Sequence, residues 1–205
     1  MRADHVDFLV EEPSAEAFLL SILPRLLADV PFSVFPFQCK EELLRRLPER
    51  LQGYARWLPE GRKVVVLLDR DDDDCKALKA RLEAAAETAG LTTRSRPREG
   101  QFTVVNRIAV EELEAWYFGE WAAVRAAYPR VPETIPAKAP FRDPDAIRGG
   151  TWEAFERVLK NAGYFRTGLR KVEAAREVSA QMKLDANTSR SFRALREALI
   201  DLVRD

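Results

Sequence analysis

Residues 62–68, with the sequence RKVVVLL, constrain the fold of this chain more than any other segment. An unbroken run of β-branched and leucine side chains is typical of a strand covered on both faces, as in the middle of a parallel sheet. Shorter runs at 6–10, 91–96 and 102–108 predict further strands, and apolar residues recur at helical spacing between them. Strands that alternate with helices predict an α/β fold with a mostly parallel central sheet flanked by helices.

The remaining elements are predicted from apolar spacing and from proline and glycine. Residues 31–37 contain two prolines and are expected to form an edge strand or a loop. Pro24 should end or kink the first helix, Pro48 should break the second, and Gly90 should cap the third. Helices are predicted at 14–23, 41–58, from the aspartate run to 89, and at 111–118, 151–160, 168–183 and 190–203.

The chain is predicted to have two parts within one domain. Residues 1–128 form the α/β core. Five prolines then lie between Pro129 and Pro144, which is typical of an irregular segment. Residues 129–205 are therefore expected to be this segment followed by a C-terminal helical extension, packed on the same domain.

The composition excludes several classes of protein. The 33 basic residues equal the 33 acidic ones, so the chain is not a globally basic DNA-binding protein. The longest apolar run has about five residues, against the roughly 20 that a membrane span needs. Acidic residues close to the N-terminus argue against a secretory signal. A soluble, cytoplasmic protein without membrane association is therefore expected.

The rarer side chains limit the chemistry. Cys39 and Cys75 have no CxxC spacing, which argues against zinc, and both are expected to be buried. His5, the single histidine, is expected to be an incidental surface residue at a loose N-terminus. Catalysis would therefore use carboxylates, lysine and metal. The tryptophans, expected on apolar helical faces, are Trp57, Trp116, Trp121 and Trp152.

The buried run ends in DRDDDD, which places Asp69 and Asp71 at the carboxyl edge of a central strand. Ligands of open α/β sheets bind outside that edge. Alternate residues of an extended chain share a face, so both carboxylates could bind a hard cation such as Mg²⁺. Capping of the next helix is the alternative; it needs only one or two acids, and Asp72 or Asp73 is assigned to it. Asp73 is also a candidate metal ligand.

Two further acidic clusters follow predicted strands. Glu11 and Glu12 come after the first strand, and Glu11 should reach the same sheet edge as Asp69 if the two strands are parallel neighbours. Glu111 and Glu114 follow the strand at 102–108 and would share one helical face. Either could complete the acidic site, or could merely stabilise a helix N-terminus.

Two of these segments resemble the motifs of Toprim domains. Residues 8–19 (FLVEEPSAEAFL) resemble the first motif, a strand followed by Glu, although Glu12 replaces the usual glycine. Residues 64–71 (VVVLLDRD) resemble the second motif, a strand followed by Asp-x-Asp. Residues 105–118 and 187–192 (NTSRSF) extend the resemblance to the short Toprim-like proteins of domain-of-unknown-function family 4276, which are often encoded beside AAA or SMC-like ATPases.

The resemblance implies Mg²⁺- or Mn²⁺-dependent phosphoryl transfer on DNA or RNA. Toprim domains serve in topoisomerases, primases, OLD-type nucleases and small-RNA maturases. Topoisomerases and primases need further domains, so the resemblance implies a nuclease, or a nuclease subunit of a larger complex. Glu11, Asp69 and Asp71 would hold the metal, and an AAA or SMC-like ATPase is the implied partner. Defence against mobile elements is the suggested role, and homo-oligomerisation is left open.

Cations for the phosphate are sought in the basic C-terminal stretch. Between Arg157 and Arg196, ten basic residues stand against three acidic ones, which fits either a phosphate-facing surface or a solvated helical face. Lys171 is the candidate catalytic cation, and Glu114 is a further candidate catalytic residue. Lys138 and Arg190 are candidate substrate contacts.

Three alternative functions are weighed against the nuclease. A haloacid-dehalogenase-type phosphatase also uses Asp-x-Asp after a strand, but its motif usually lies near the N-terminus. A response-regulator-like phosphoacceptor fits Glu11 and Glu12 loosely and fits the second acidic pair poorly. A non-catalytic metal- or nucleic-acid-binding subunit that regulates an ATPase stays open. The chain contains no GxxxxGK[ST] loop, so it is not itself expected to be the ATPase.

Overall fold

The computed structural model describes residues 2–204 and contains a four-stranded parallel sheet. The strands are β1 (His5–Val10), β2 (Phe32–Pro36), β3 (Arg62–Asp69) and β4 (Val104–Ala109), in the order β2-β1-β3-β4. Each pair of neighbouring strands is parallel, with Val10 opposite Leu67 and Asp69 opposite Ala109. The predicted parallel α/β fold is confirmed, and the carboxyl ends of all four strands meet at one edge.

Helices connect and follow the strands, and short 3-10 turns occupy the proline-rich segment. The helices are α1 (Pro13–Leu26), α2 (Lys40–Trp57), α3 (Cys75–Thr88), α4 (Ala115–Gly119), α5 (Trp121–Ala127), α6 (Thr151–Asn161), α7 (Lys171–Gln181) and α8 (Arg190–Val203). The 3-10 turns are Ile135–Ala137, Ala139–Phe141 and Pro144–Ala146. None of the described helices is both long and apolar enough to cross a lipid bilayer.

Strand β3 has the double-sided burial that its sequence predicts. Val64, Val66 and Leu68 face a core shared with α2 and α3. Val65 and Leu67 face a larger core on the opposite side of the sheet. All five are at most 2% exposed, so each contributes roughly 1.5–3 kcal/mol of burial free energy and together they fix the register of the strand.

The larger core includes side chains from both predicted parts of the chain. Helix α7 packs along α1, and Trp116 of α4 contacts Phe18 of α1 and Phe192 of α8 at centroid distances of 5.2 and 5.4 Å. The Trp116 indole donates to Ser191 Oγ at 2.9 Å, so its polar group is satisfied inside the core. The division at residue 128 stays a prediction, and the two parts share this core.

Several predicted element boundaries are wrong. Residues 91–96 do not form a strand; only Thr93 makes isolated bridges, to Arg96 and Val104. Pro24 does not end α1, which continues to Leu26, and a kink at Pro24 stays a prediction. Helix α2 likewise continues through Pro48.

The rarer side chains also differ from expectation. Cys39 and Cys75 are exposed because they lie at the starts of α2 and α3, outside the core-facing positions. Trp57 is 57% exposed at the end of α2. His5 is the first residue of β1, and its Nε2 lies 3.1 Å from both Ser33 Oγ and Asp7 Oδ1. It is therefore part of the sheet, not of a loose terminus.

Candidate metal centre

Glu11 and Asp69 meet at the carboxyl edge of the sheet, as the parallel arrangement of their strands requires. Glu11 follows β1, Asp69 ends β3, and the Asp69 N–H donates to Glu11 Oε2 at 2.9 Å. Both side chains are half-buried. Burial raises the pKa of Glu11 to about 7, the hydrogen bond from Asp69 opposes this, and the charge of Asp71 adds to it. Burial and then the charges of Glu11 and Glu114 raise the pKa of Asp69 well above its usual range.

Glu114 and Lys171 come to the same place from later in the chain. Glu114 precedes α4, is 1% exposed, and its Oε2 has no hydrogen-bond partner. Burial raises its pKa to about 7, and the charge of Lys171 opposes this. Lys171 begins α7, with Nζ 3.6 Å from Glu12 Oε1 and 5.3 Å from the ring centroid of Trp152.

Lys171 stays protonated because of the acidic side chains around it. Burial lowers the pKa of Lys171, but the negative charges of Glu114, Glu12 and Asp69 outweigh burial and raise it. A protonated ammonium group therefore lies among these carboxylates. We call Glu11, Glu12, Asp69, Glu114 and Lys171 the acidic centre.

Asp71 and Asp73 both pair with a lysine that the sequence analysis did not single out. Lys40, at the start of α2, lies 2.5 Å from Asp71 Oδ2 and 2.8 Å from Asp73 Oδ2. Asp71 has a left-handed backbone with φ 49°, because the strand ends at Asp69. The expectation that Asp69 and Asp71 share one face of an extended strand is therefore wrong.

One signal in the sequence could have placed Lys40 beside the aspartate run. Lys40 follows β2, so treating residues 31–37 firmly as a parallel strand would have placed its successor at this edge. The predicted cap at Asp72 or Asp73 is also wrong. Asp74 caps α3, accepting from the Ala77 N–H at 2.7 Å, since the helix begins at Cys75.

The glutamates after β4 separate instead of sharing a helical face. Glu111 Oε1 pairs with Arg70 Nη2 at 3.1 Å, and the Glu111 carbonyl accepts from the Arg70 and Asp71 N–H groups. Glu112 Oε2 accepts from Thr151 Oγ1 at 2.7 Å and from the Trp152 N–H at 2.8 Å, at the start of α6. With these groups engaged, the helix begins only at Ala115, and Glu114 is the member that joins the acidic centre.

Lys138 and Arg190 lie elsewhere. Lys138 is exposed between two 3-10 turns, where it lines a separate cavity with Arg130 and Arg157. Arg190 begins α8 and pairs with Asp143 at 2.7 Å and with Asp145 at 3.6 Å. Neither contacts the acidic centre in the part of the chain that the structure describes, because local carboxylates and turns hold them there.

The acidic centre has the chemistry of a site for a hard divalent cation. Among residues 2–204, no three carboxylate, imidazole or thiolate side chains converge as a ready-made metal-binding group. The donors near Asp69 are nevertheless all oxygens, which suits Mg²⁺ or Mn²⁺. The unpartnered Oε2 of Glu114 and the raised pKa values of Glu11 and Asp69 show that ionised carboxylates are unfavourable here without a compensating charge. A divalent cation would supply that charge.

Comparisons with known proteins agree with this fold. A sequence model of the family described as domain of unknown function (DUF4276) matches residues 10–200. Among solved structures, the C-terminal region of the Burkholderia pseudomallei OLD protein matches with a TM-score of 0.52 and 17% identity, over the full length of both chains. No curated protein matches the chain.

These matches decide the family and the fold. At 17% identity the structural likeness shows the fold alone, and it confirms the predicted Toprim-like architecture. The family match spans both predicted parts of the chain, from the end of β1 into α8. The chain therefore belongs to the family described as domain of unknown function DUF4276.

Proposed function

We propose that this chain is a Mg²⁺- or Mn²⁺-dependent nuclease of the Toprim type, which hydrolyses phosphodiester bonds in DNA or RNA. The observation that carries the proposal is the acidic centre itself. Carboxylates that follow β1, end β3 and follow β4 meet at one sheet edge, and Lys171 arrives there from α7. Buried acids of this kind are costly unless a cation or a reaction uses them.

The residues have separable roles in this proposal. Glu11 and Asp69 would hold the metal, with Asp71 and Asp73 available if they leave Lys40. The bound cation would supply Lewis-acid stabilisation of the phosphate and activation of water. Lys171 stays cationic and would steady the negative charge that grows on the phosphate. Glu114, with a pKa of about 7, can exchange a proton near neutral pH.

The same proposal includes an ATPase partner and a cytoplasmic role in anti-phage defence or DNA processing. The resemblance to proteins encoded beside AAA or SMC-like ATPases supports it. The structural match supports it too, because the matched region is the C-terminal part of a larger OLD protein. The nuclease would then be the effector part of an ATPase-coupled system.

Titration calorimetry with Mg²⁺ and Mn²⁺ tests the metal, and cleavage assays test the activity. The proteins are the parent, Asp69→Asn and the matched control Asp72→Asn, which removes an exposed acid from the same run. We expect saturable binding and metal-dependent cleavage of single- or double-stranded DNA or RNA by the parent and the control. Asp69→Asn should lose both. Equal behaviour of the two variants would contradict the assignment of Asp69.

A cognate ATPase and an oligonucleotide are added if the isolated chain is inactive. If the metal binds only when the oligonucleotide is present, the proposal still stands, with the metal held between the carboxylates and the phosphate. Failure of both binding and cleavage under all these conditions would refute the nuclease.

The second candidate is a non-catalytic regulatory subunit of an ATPase complex. The ion pairs of Lys40 with Asp71 and Asp73 favour it, because an internal ammonium group already compensates two of the predicted metal ligands. This candidate predicts that Asp69→Asn leaves partner binding and partner ATPase activity unchanged, while no cleavage is seen with any variant.

A further inference from the structure

A groove runs along the outer edge of β4, between α3 and α8. It encloses about 370 Å³. We call it the β4-edge groove, and its walls include Lys79, Asn106, Arg107, Ile108, Arg190 and Ala194. Val110, which directly precedes Glu111 at the carboxyl edge of the sheet, also lines it. The groove is thus separate from the acidic centre but adjoins the same edge.

Asn106 lines this groove and carries a buried acceptor without a partner. The residue is 1% exposed, and its Nδ2 donates to Glu83 Oε1 at 3.0 Å. Because a glutamate carboxylate accepts hydrogen bonds, this contact fixes which end of the amide is the donor. The other end, Oδ1, has no partner. A buried acceptor without a donor is costly, so a ligand N–H group is the natural occupant.

Arg107 presents the complementary feature, a half-buried cation. Its Nε has no hydrogen-bond partner, and it forms no ion pair with a carboxylate of residues 2–204. Burial and the nearby charge of Arg94 lower the pKa of Arg107 and outweigh the opposing charges of Glu197, Glu83 and Asp201, so its charge is only partly compensated. An anion in the groove would compensate it.

The other cations of the groove are already engaged. Lys79 Nζ pairs with Glu83 Oε1 at 2.8 Å and donates to the Asn106 carbonyl at 2.6 Å. Arg190 is held by Asp143 and Asp145. Arg107 is therefore the cation with free capacity for a ligand anion.

The occupant needs an anion, an N–H donor and a flat apolar body. Ile108, Val110 and Ala194 supply an apolar surface between the polar groups. A nucleotide unites all three properties, because its phosphate is anionic, its base edge carries N–H groups, and its ring is planar. A volume of about 370 Å³ lies within the size range of small-ligand sites, roughly 300–1,000 Å³.

We propose that the β4-edge groove binds one nucleotide, with Arg107 facing its phosphate and Asn106 accepting a hydrogen bond from its base. The nucleotide is either a unit of the nucleic-acid strand at the acidic centre, in which case the inference rests on the proposed function, or a free mononucleotide. A strand nucleotide held here would give the nuclease a preference for the base that occupies the groove.

Binding without metal separates this groove from the nuclease reaction. The four nucleoside 5′-monophosphates and a fluorescent 12-nucleotide single strand are titrated against Asp69→Asn protein in EDTA. Arg107→Met is compared with Arg193→Met, which removes an exposed arginine of α8 that does not line the groove. Ala194→Phe fills the groove without changing charge, and serves as the second variant if Arg107→Met is poorly folded.

We expect Arg107→Met and Ala194→Phe to weaken binding about tenfold or more, and Arg193→Met less than about twofold. The groove holds a nucleotide of the strand if mononucleotides displace the oligonucleotide. The same holds if only the oligonucleotide binds and both groove variants weaken its binding. Mononucleotide binding without displacement identifies a free nucleotide. Equal losses in both arginine variants, or no binding by any probe, would overturn the proposal. Groove binding without any cleavage would refute only the nuclease.

Discussion

Glu114→Gln should stabilise the metal-free protein at alkaline pH. Glu114 is 1% exposed, and one of its oxygens has no partner, so its ionised form is poorly solvated. Burial raises its pKa from 4.5 to about 7. Glutamine has nearly the same shape and carries no charge, so the substitution removes the cost of ionisation and leaves the packing of α4 intact.

The magnitude follows from the difference between the two pKa values. Each pKa unit corresponds to about 1.4 kcal/mol, so ionisation of a buried group shifted from 4.5 to about 7 costs roughly 3 kcal/mol of folding free energy. The pKa is raised on folding, so the folded state binds the proton more tightly. The associated stability is present below pH 4.5 and is lost as the pH rises through 7. The attraction of Lys171 is already included in the pKa of about 7, so the expected gain at pH 8 is about 3 kcal/mol.

Urea unfolding in EDTA at pH 5 and pH 8 measures this effect. Glu114→Gln should exceed the parent in free energy of unfolding at pH 8, and the gain should shrink at pH 5. Glu60→Gln, which changes an exposed glutamate before β3, should match the parent at both pH values. A variant less stable than the parent by the same amount at both pH values would refute the reasoning, because Glu114 would then be a satisfied structural acceptor.

Three other substitutions test neighbouring parts of the structure. Glu11→Gln should reduce cleavage about 100-fold or more while the melting temperature changes little, because the amide oxygen can still accept the hydrogen bond at 2.9 Å; an equal loss of folding would indicate a structural role. Lys40→Met should destabilise the metal-free protein by about 1–3 kcal/mol, and Mg²⁺ should restore part of this by replacing the ammonium beside Asp71, as thermal unfolding with and without Mg²⁺ would show. Asn187→Ala should cost about 1–3 kcal/mol in urea unfolding, because its buried side chain bonds α4 to the start of α8; a neutral result would contradict that role.

The sequence predicts the meeting of Glu11 with Asp69 because strand order decides it. The residues that follow two parallel neighbouring strands lie at the same edge of the sheet, and the burial of 64–68 identifies β3 as a central strand. Lys171 was found by a weaker signal, the excess of basic residues after Arg157. Its approach to Glu12 depends on the packing of α7 on α1, which apolar spacing alone does not specify.

The errors arise where charged side chains form ion pairs with residues that are far away in the sequence. An extended strand would place Asp71 beside Asp69, but β3 ends at Asp69, two residues before Asp71, and Lys40 pairs with the Asp71 carboxylate. Arg190 was sought near the phosphate site, yet Asp143 and Asp145 lie within ion-pair distance of it. Local charge patterns in the sequence cannot reveal such long-range pairing.

The position of Lys171 on α7 has a consequence for protein synthesis. About 100 residues separate it from Asp69, and a ribosome adds them in roughly 5–20 seconds. From the start of that interval the nascent chain has β1, β2 and β3 with Glu11, Glu12 and Asp69, and it lacks the lysine that approaches Glu12 until the interval ends. The acidic centre therefore lacks its cation until α7 has been made, and a shorter nascent chain would lack a group that the proposed nuclease needs.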